Sequence, residues 1–147
     1  MADTTAIQWI YPPNMQDGQW AEKSGNRRVI VRMTGTSDGT GETDAIKVDL
    51  TDLKTSNGNV PGRTVVEWMK WSVFGMTCTL EWDRTPHAEI IRINDNGLTD
   101  VGDFDWSVYG GLLDPGDDDG TGNIILTSTN MADGDNYDIT MCLRLKD

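Results

Sequence analysis

The residues of this 147-residue chain that could do chemistry are one histidine, two cysteines and 24 acids. His87 follows Pro86 at the mouth of an expected strand, which places it on the surface. There is no second histidine and no Cys-x-x-Cys pair, so the common zinc sets are missing. No nucleophile motif accompanies His87, and no catalytic role is expected for it. Cys78 and Cys142 each lie inside an alternating run. They read as small strand or core residues of a reduced compartment, with a disulfide between neighbouring strands as the alternative.

Carboxylates can hydrolyse glycosides when one stays protonated and another ionised across the scissile bond. Glu67 and Glu81 fall on an expected hairpin about Gly75, where they would face each other. In a chain this acidic, such a pair more simply marks a solvated strand face. Calcium needs clustered oxygen ligands, and Asp114 to Gly120 and Asp100 to Asp105 are the richest stretches. Neither has the glutamate that closes an EF-hand loop. Calcium is therefore the one cofactor considered, and the expectation is no cofactor, no metal site and no enzyme. The glycine-rich Gly35 to Glu42 stretch lacks the Lys-Ser/Thr of a phosphate loop.

Charge narrows the partners. The net charge of −12 is concentrated late in the chain: residues 94–147 hold twelve acids, all Asp, against two bases. Most of these Asp residues adjoin Gly or Asn and read as turn formers. Direct nucleic-acid binding is disfavoured, because the phosphate contribution needs a basic patch. No stretch has membrane-spanning length, and the start lacks a basic segment followed by an apolar one. A soluble protein made in the cytoplasm is expected.

The elements that must carry these residues are strands. Tyr137, Ile139, Met141, Leu143 and Leu145 alternate with Asp138, Thr140, Cys142 and Arg144. A period of two suits a strand and no helix. Arg28 to Thr34 repeats the pattern with Val29, Val31 and Met33, and Thr77 to Asp83 with Cys78, Leu80 and Trp82. Gly35 to Gly41 reads as a loop. Ala45 to Leu50 is a short strand in which Ala45, Lys47 and Asp49 oppose Ile46, Val48 and Leu50. Thr64 to Phe74 reads as a strand buried on both faces, because β-branched and aromatic residues dominate it. Asn57-Gly58 and Asp95-Asn96-Gly97 are turn signals. Ala88 to Ile93, Phe104 to Val108 and Ile124 to Thr127 complete about eight strands. The fold class is all-β: an antiparallel β-sandwich or jelly-roll-like domain over residues 27–147, with an irregular arm over residues 1–26.

Six tryptophans are many for this length. Trp68, Trp71 and Trp82 lie in strong strands and read as core. The arm is an extended or edge strand and a long polar loop carrying Trp9, Tyr11 and Trp20. These three are the interface candidates, covered either by the domain itself or by a neighbouring subunit. Exposed aromatics of this kind also suit stacking on sugar rings.

Several stretches resemble small virion structural proteins of tailed bacteriophages. They are Thr36-Ser-Asp-Gly-Thr-Gly-Glu-Thr-Asp44, Phe74-Gly-Met, Leu80-Glu-Trp-Asp-Arg-Thr-Pro86, Gly110-Gly-Leu-Leu-Asp-Pro-Gly116, Gly120-Thr-Gly-Asn-Ile-Ile125 and Tyr137-Asp-Ile-Thr-Met-Cys-Leu-Arg-Leu-Lys146. The match spans most of the chain and is poorest over the first 35 residues. The resemblance implies a non-enzymatic virion protein without catalytic residues. A capsid decoration (cement) protein that binds the major capsid protein shell as a homo-oligomer, a trimer by preference, is the leading expectation. A head–tail or tail component and a carbohydrate-binding β-sandwich are the alternatives.

Overall fold

The computed structural model describes residues 4–11, 28–53, 55, 59–94, 99–116 and 119–146. These form ten strands: β1 (Thr4–Tyr11), β2 (Arg28–Asp38), β3 (Ala45–Val48), β4 (Arg63–Phe74), β5 (Thr77–Trp82), β6 (Ala88–Ile93), β7 (Thr99–Asp105), β8 (Leu112–Leu113), β9 (Ile124–Thr129) and β10 (Asp133–Lys146). Short 3-10 turns occupy Leu50–Asp52 and Ser107–Tyr109, and no α-helix occurs among the described residues. Every strand pairing is antiparallel. A six-stranded sheet runs β1-β2-β10-β4-β7 with β8 beside β4, and a four-stranded sheet runs β3-β9-β5-β6. The two pack face to face as an all-β sandwich.

The core follows from the alternation. On β10, Tyr137, Ile139, Met141, Leu143 and Leu145 are buried. Their buried register partners include Val29, Val31 and Met33 on β2, and Val66, Met69 and Val73 on β4. The four-stranded sheet answers with Val48, Cys78, Leu80, Trp82, Ile90, Ile93, Ile124 and Leu126. One hydrogen bond crosses between the sheets inside this core, Trp82 Nε1 donating to Thr64 Oγ1 at 3.0 Å. β4 is buried on both faces over Thr64 to Glu67. Its register against β10 steps from Cys142–Trp68 to Leu143–Val66, so Glu67 has no partner on β10 and forms a bulge.

Three local expectations are corrected. Gly35 to Asp38 continues β2 instead of forming a loop. Gly35 stays in the strand because the Tyr137 ring lies over it, in the space a Cβ would take. The expected β4–β5 hairpin about Gly75 does not form, since β4 belongs to one sheet and β5 to the other. Both edges of β4 are already taken, by β10 on one side and by β7 and β8 on the other. The chain therefore turns at Gly75 (φ +80°) and crosses the sandwich. On β3, a register shift between Ile46 and Val48 turns Ile46 outward and Lys47 inward. Lys47 Nζ donates to Glu42 Oε1 at 2.6 Å, and Tyr137 Oη donates to Glu42 Oε2 at 2.7 Å. Long-range partners thus reverse the polarity that the local pattern implied. The turns at Asn57-Gly58 and Asp95-Asn96-Gly97 lie outside the described residues.

A second buried ion pair closes another part of the sandwich. Arg84 Nε donates to Asp114 Oδ1 at 2.9 Å, and Nη2 donates to Asp114 Oδ2 at 2.7 Å and to the Gly62 carbonyl at 3.0 Å. Asp114 is wholly buried. Breaking such a pair strands a charge, whereas removing both partners does not. Asp114→Ala should therefore cost about 3–5 kcal/mol. The double variant Arg84→Met/Asp114→Leu should lose clearly less. Urea denaturation of the three proteins checks this, and equal losses for the single and double variants would refute it.

Candidate functional site

The described residues bring one group of chemically competent side chains together, on the outer face of the four-stranded sheet. β5 directs Leu80 and Trp82 into the core, so Glu81 points out. Beyond the strand, Arg84 turns inward to Asp114 and Asp83 remains outside. The Asp83 N–H donates to the Asn123 carbonyl at 2.8 Å, and its Oδ2 accepts from Thr121 Oγ1 at 2.8 Å. Thr85 and Pro86 return the chain so that His87 lies over both acids. Asp44 arrives from the turn before β3, with φ of +50°. Its N–H donates to Thr127 Oγ1 at 3.0 Å, and its Oδ1 accepts from the same hydroxyl at 3.2 Å.

Three carboxylates therefore surround one imidazole. His87 Nδ1 stands 3.4 Å from Glu81 Oε1 and 3.9 Å from Asp44 Oδ1, while Nε2 stands 3.7 Å from Asp83 Oδ1. These are ion-pair separations, mostly too long for direct hydrogen bonds. The ring is about one-third exposed. One ligand atom each from Asp44, Glu81 and His87 lies within 4.8 Å of the others. The stretch Glu81-x-Asp83-x-x-x-His87 was the readable signal for part of this cluster. Asp44 and the two supporting threonines come from distant parts of the chain and left no mark in the sequence.

The facing pair of Glu67 and Glu81 is not present, because the two residues sit on different sheets. Glu67 is buried and paired: Arg28 Nε donates to its Oε1, and Arg144 Nε is 3.5 Å from its Oε2. The acidic stretches are divided among structural tasks. Asp114 holds Arg84, Asp100 accepts from Trp71 Nε1 at 3.2 Å, and Asp105 accepts from the N–H and hydroxyl of Ser107. Those two Ser107 bonds hold the Asp105 carboxyl below its ordinary pKa. Asp117 and Asp118 lie outside the described residues.

Trp9 and Tyr11 lie on β1, an edge strand paired with β2, and both lean half-buried on the domain's own core. Trp20 lies outside the described residues. The most exposed apolar side chains lie elsewhere, toward the opposite edge of the same sheet: Val101 on β7 and Val108 and Tyr109 on the following 3-10 turn are 71%, 73% and 80% exposed. Phe74, Phe104 and Leu113 are also exposed, on β4, β7 and β8. Trp68, Lys70, Asp103, Phe104 and Asp105 line a shallow hollow of about 200 Å3 there. The Lys70 ammonium sits 5.8 Å from the Trp68 ring centre. No protein-family model matches the sequence, and no curated protein matches it as a relative.

Both cysteines are free and buried. Burial, then the nearby Glu42 carboxylate, pushes the Cys78 thiol up to about 12, against an opposing pull from Lys47. Burial, then Glu67, pushes Cys142 up to about 11, against Arg28. An unfolded thiol ionises near pH 8.5, roughly. Above that pH the unfolded chain releases thiol protons that the folded one keeps, so these groups subtract stability as pH rises. At pH near 8 the folded protein should show no rapidly reacting thiol, and denaturation should release two. Titration with a chromogenic disulfide reagent checks this, and a fast native thiol would contradict it.

Proposed function

We propose that this protein is a structural component of a tailed-bacteriophage virion, a capsid decoration protein that binds the assembled head and stabilises it without catalysis. The observation that carries the reading is the set of exposed apolar side chains toward the β7 edge, Val101, Val108 and Tyr109 foremost. Isolated exposed apolar residues need no explanation, but a run along one edge marks an interaction surface. Asp100, Asp103 and Asp105 lie on the same strand, giving the apolar centre a charged border. That is the anatomy of a protein interface, and it favours a partner surface with basic groups. The sequence resemblance supplies the kind of partner, a shell of major capsid protein. On a symmetric shell, a homo-oligomer such as a trimer would present several copies of this edge at one junction.

The edge strand β1 is the second contact in this reading. Thr4 to Tyr11 carries no charge, and Ile7 and Ile10 are exposed on it. Trp9 and Tyr11 support it from the core side, so ordering this strand on the shell would need no rearrangement of the domain. A neck or tail position is the alternative within the same class, and copy number relative to the capsid protein separates the two.

Val101→Asp and Tyr109→Ala should each leave the melting temperature nearly unchanged, because both side chains face solvent. Each should weaken co-sedimentation with undecorated heads by roughly thirtyfold, the loss of about 2 kcal/mol typical of an interface anchor. Binding by both variants at wild-type strength would remove this edge from the contact. Absence of the protein from purified virions would remove the virion reading.

A further inference from the structure

We propose that Asp44, Glu81 and His87 bind one divalent transition-metal ion of the zinc class on the outer face of the four-stranded sheet. The spacing is the first ground. Ligands on a tetrahedral ion at about 2.0–2.2 Å lie roughly 3.4 Å apart. His87 Nδ1 is already 3.4 Å from Glu81 Oε1 and 3.9 Å from Asp44 Oδ1. The three ligand atoms lie within 4.8 Å of one another, so side-chain movement alone can close them on one ion.

The second ground is the other side of the ring. A metal-bound histidine commonly directs its free N–H to a carboxylate, which fixes the ring and raises its basicity. Here Nε2 faces Asp83 Oδ1 at 3.7 Å, and Thr121 holds that carboxylate from behind. The imidazole thus has two carboxylates at one nitrogen and one at the other, the division a bound ion requires. The ligand chemistry then selects the ion. A nitrogen donor beside two carboxylates suits zinc, cobalt or nickel, whereas calcium and magnesium prefer oxygen alone. Three protein ligands leave a fourth position for water.

The ion would tie β3 to β5 and β6, strands with which β3 shares no direct pairing. Asp44 precedes β3 at one edge, Glu81 lies on β5, and His87 leads into β6 at the other edge. One ion would therefore staple the sheet across its width.

The test uses the full chain, freed of metal with a chelator and titrated with Zn2+ alone by calorimetry and by thermal unfolding. The expected result is one saturable site and a melting temperature that rises with Zn2+. Ca2+ at the same concentration should give no shift. His87→Ala should lose at least tenfold in affinity, and Asp83→Asn about 10–100-fold, as loss of an outer-shell carboxylate does elsewhere. Glu81→Gln, which keeps the side chain's shape, is the second ligand variant should His87→Ala fold poorly, and should also lose at least tenfold. Co2+ in place of Zn2+ should give the strong visible absorption of a four-coordinate site, absent in the variant that removes the imidazole. No saturable binding, or binding undiminished in the ligand variants, would overturn the proposal.

Discussion

Five strands side by side, β1-β2-β10-β4 and then β7 with β8, are wider than a four-stranded sheet can cover, and this mismatch decides where the domain places its aromatic and polar groups. The inner face of the wide sheet overhangs at both edges. At the β1 edge, Trp9 and Tyr11 fill the overhang half-buried. At the β7 edge, the Trp71 ring lies across Gly102, where any side chain would collide with it, and its N–H donates to Asp100. Trp106 packs against the core and against the Phe104 ring, 4.9 Å between ring centres. Large rings with one polar atom suit these margins, because they shield apolar area while keeping a hydrogen bond at the rim. The heavy tryptophan content is thus in part a consequence of unequal sheets.

The buried polar groups follow from the same geometry. Loops that switch between sheets bring charged residues over the sandwich, and each must find a partner there. Lys47, Glu42 and Tyr137 close one such place, and Arg84 with Asp114 closes another. The second closure also shapes the surface. Arg84 must point inward to reach Asp114, which leaves Asp83 outside and carries the chain back to His87. Gly120 packs against the Asp83 carbonyl in space no side chain could share, so the neighbouring loop holds this turn from above. Asp83 and His87, half of the surface cluster, are therefore positioned by a buried ion pair whose own atoms do not belong to it.

Where burial alone sets a residue's direction, the sequence reads true. Val29, Val31 and Met33, Cys78, Leu80 and Trp82, and the alternating run of β10 all face the core as their period requires. Where a distant partner decides, local pattern misleads. Lys47 is buried while Ile46 is exposed, because Glu42 and Tyr137 wait inside. Asp114 sits in a stretch that reads as a solvated loop, yet it is wholly buried because Arg84 needs an anion. The turn at Gly75 announces a change of direction but not which sheet the chain enters. That choice depends on which edges of β4 are free, and the strands that occupy them come later in the sequence. His87 was readable as a surface residue, but its company was not, since Asp44 reaches it only through the β3–β9 pairing.

The distribution of aspartates has a further consequence for the exposed edge. An edge strand with unpaired backbone groups invites another strand to add to it, and charges along the strand oppose this. β7 places Asp100, Asp103 and Asp105 along its seven residues. Two copies brought edge to edge would bring these like charges close together, which disfavours such a pair. The apolar side chains beside them, Val101, Val108 and Tyr109, are therefore guarded against the commonest wrong partner, another copy of the same edge. A surface that is apolar and bordered by acids disfavours like partners and favours a complementary, basic surface. β1 lacks this protection, since no charge lies between Thr4 and Tyr11. The two edges of one sheet thus differ in kind. The β7 edge is lined with acids, and the β1 edge is uncharged, with apolar side chains exposed along it.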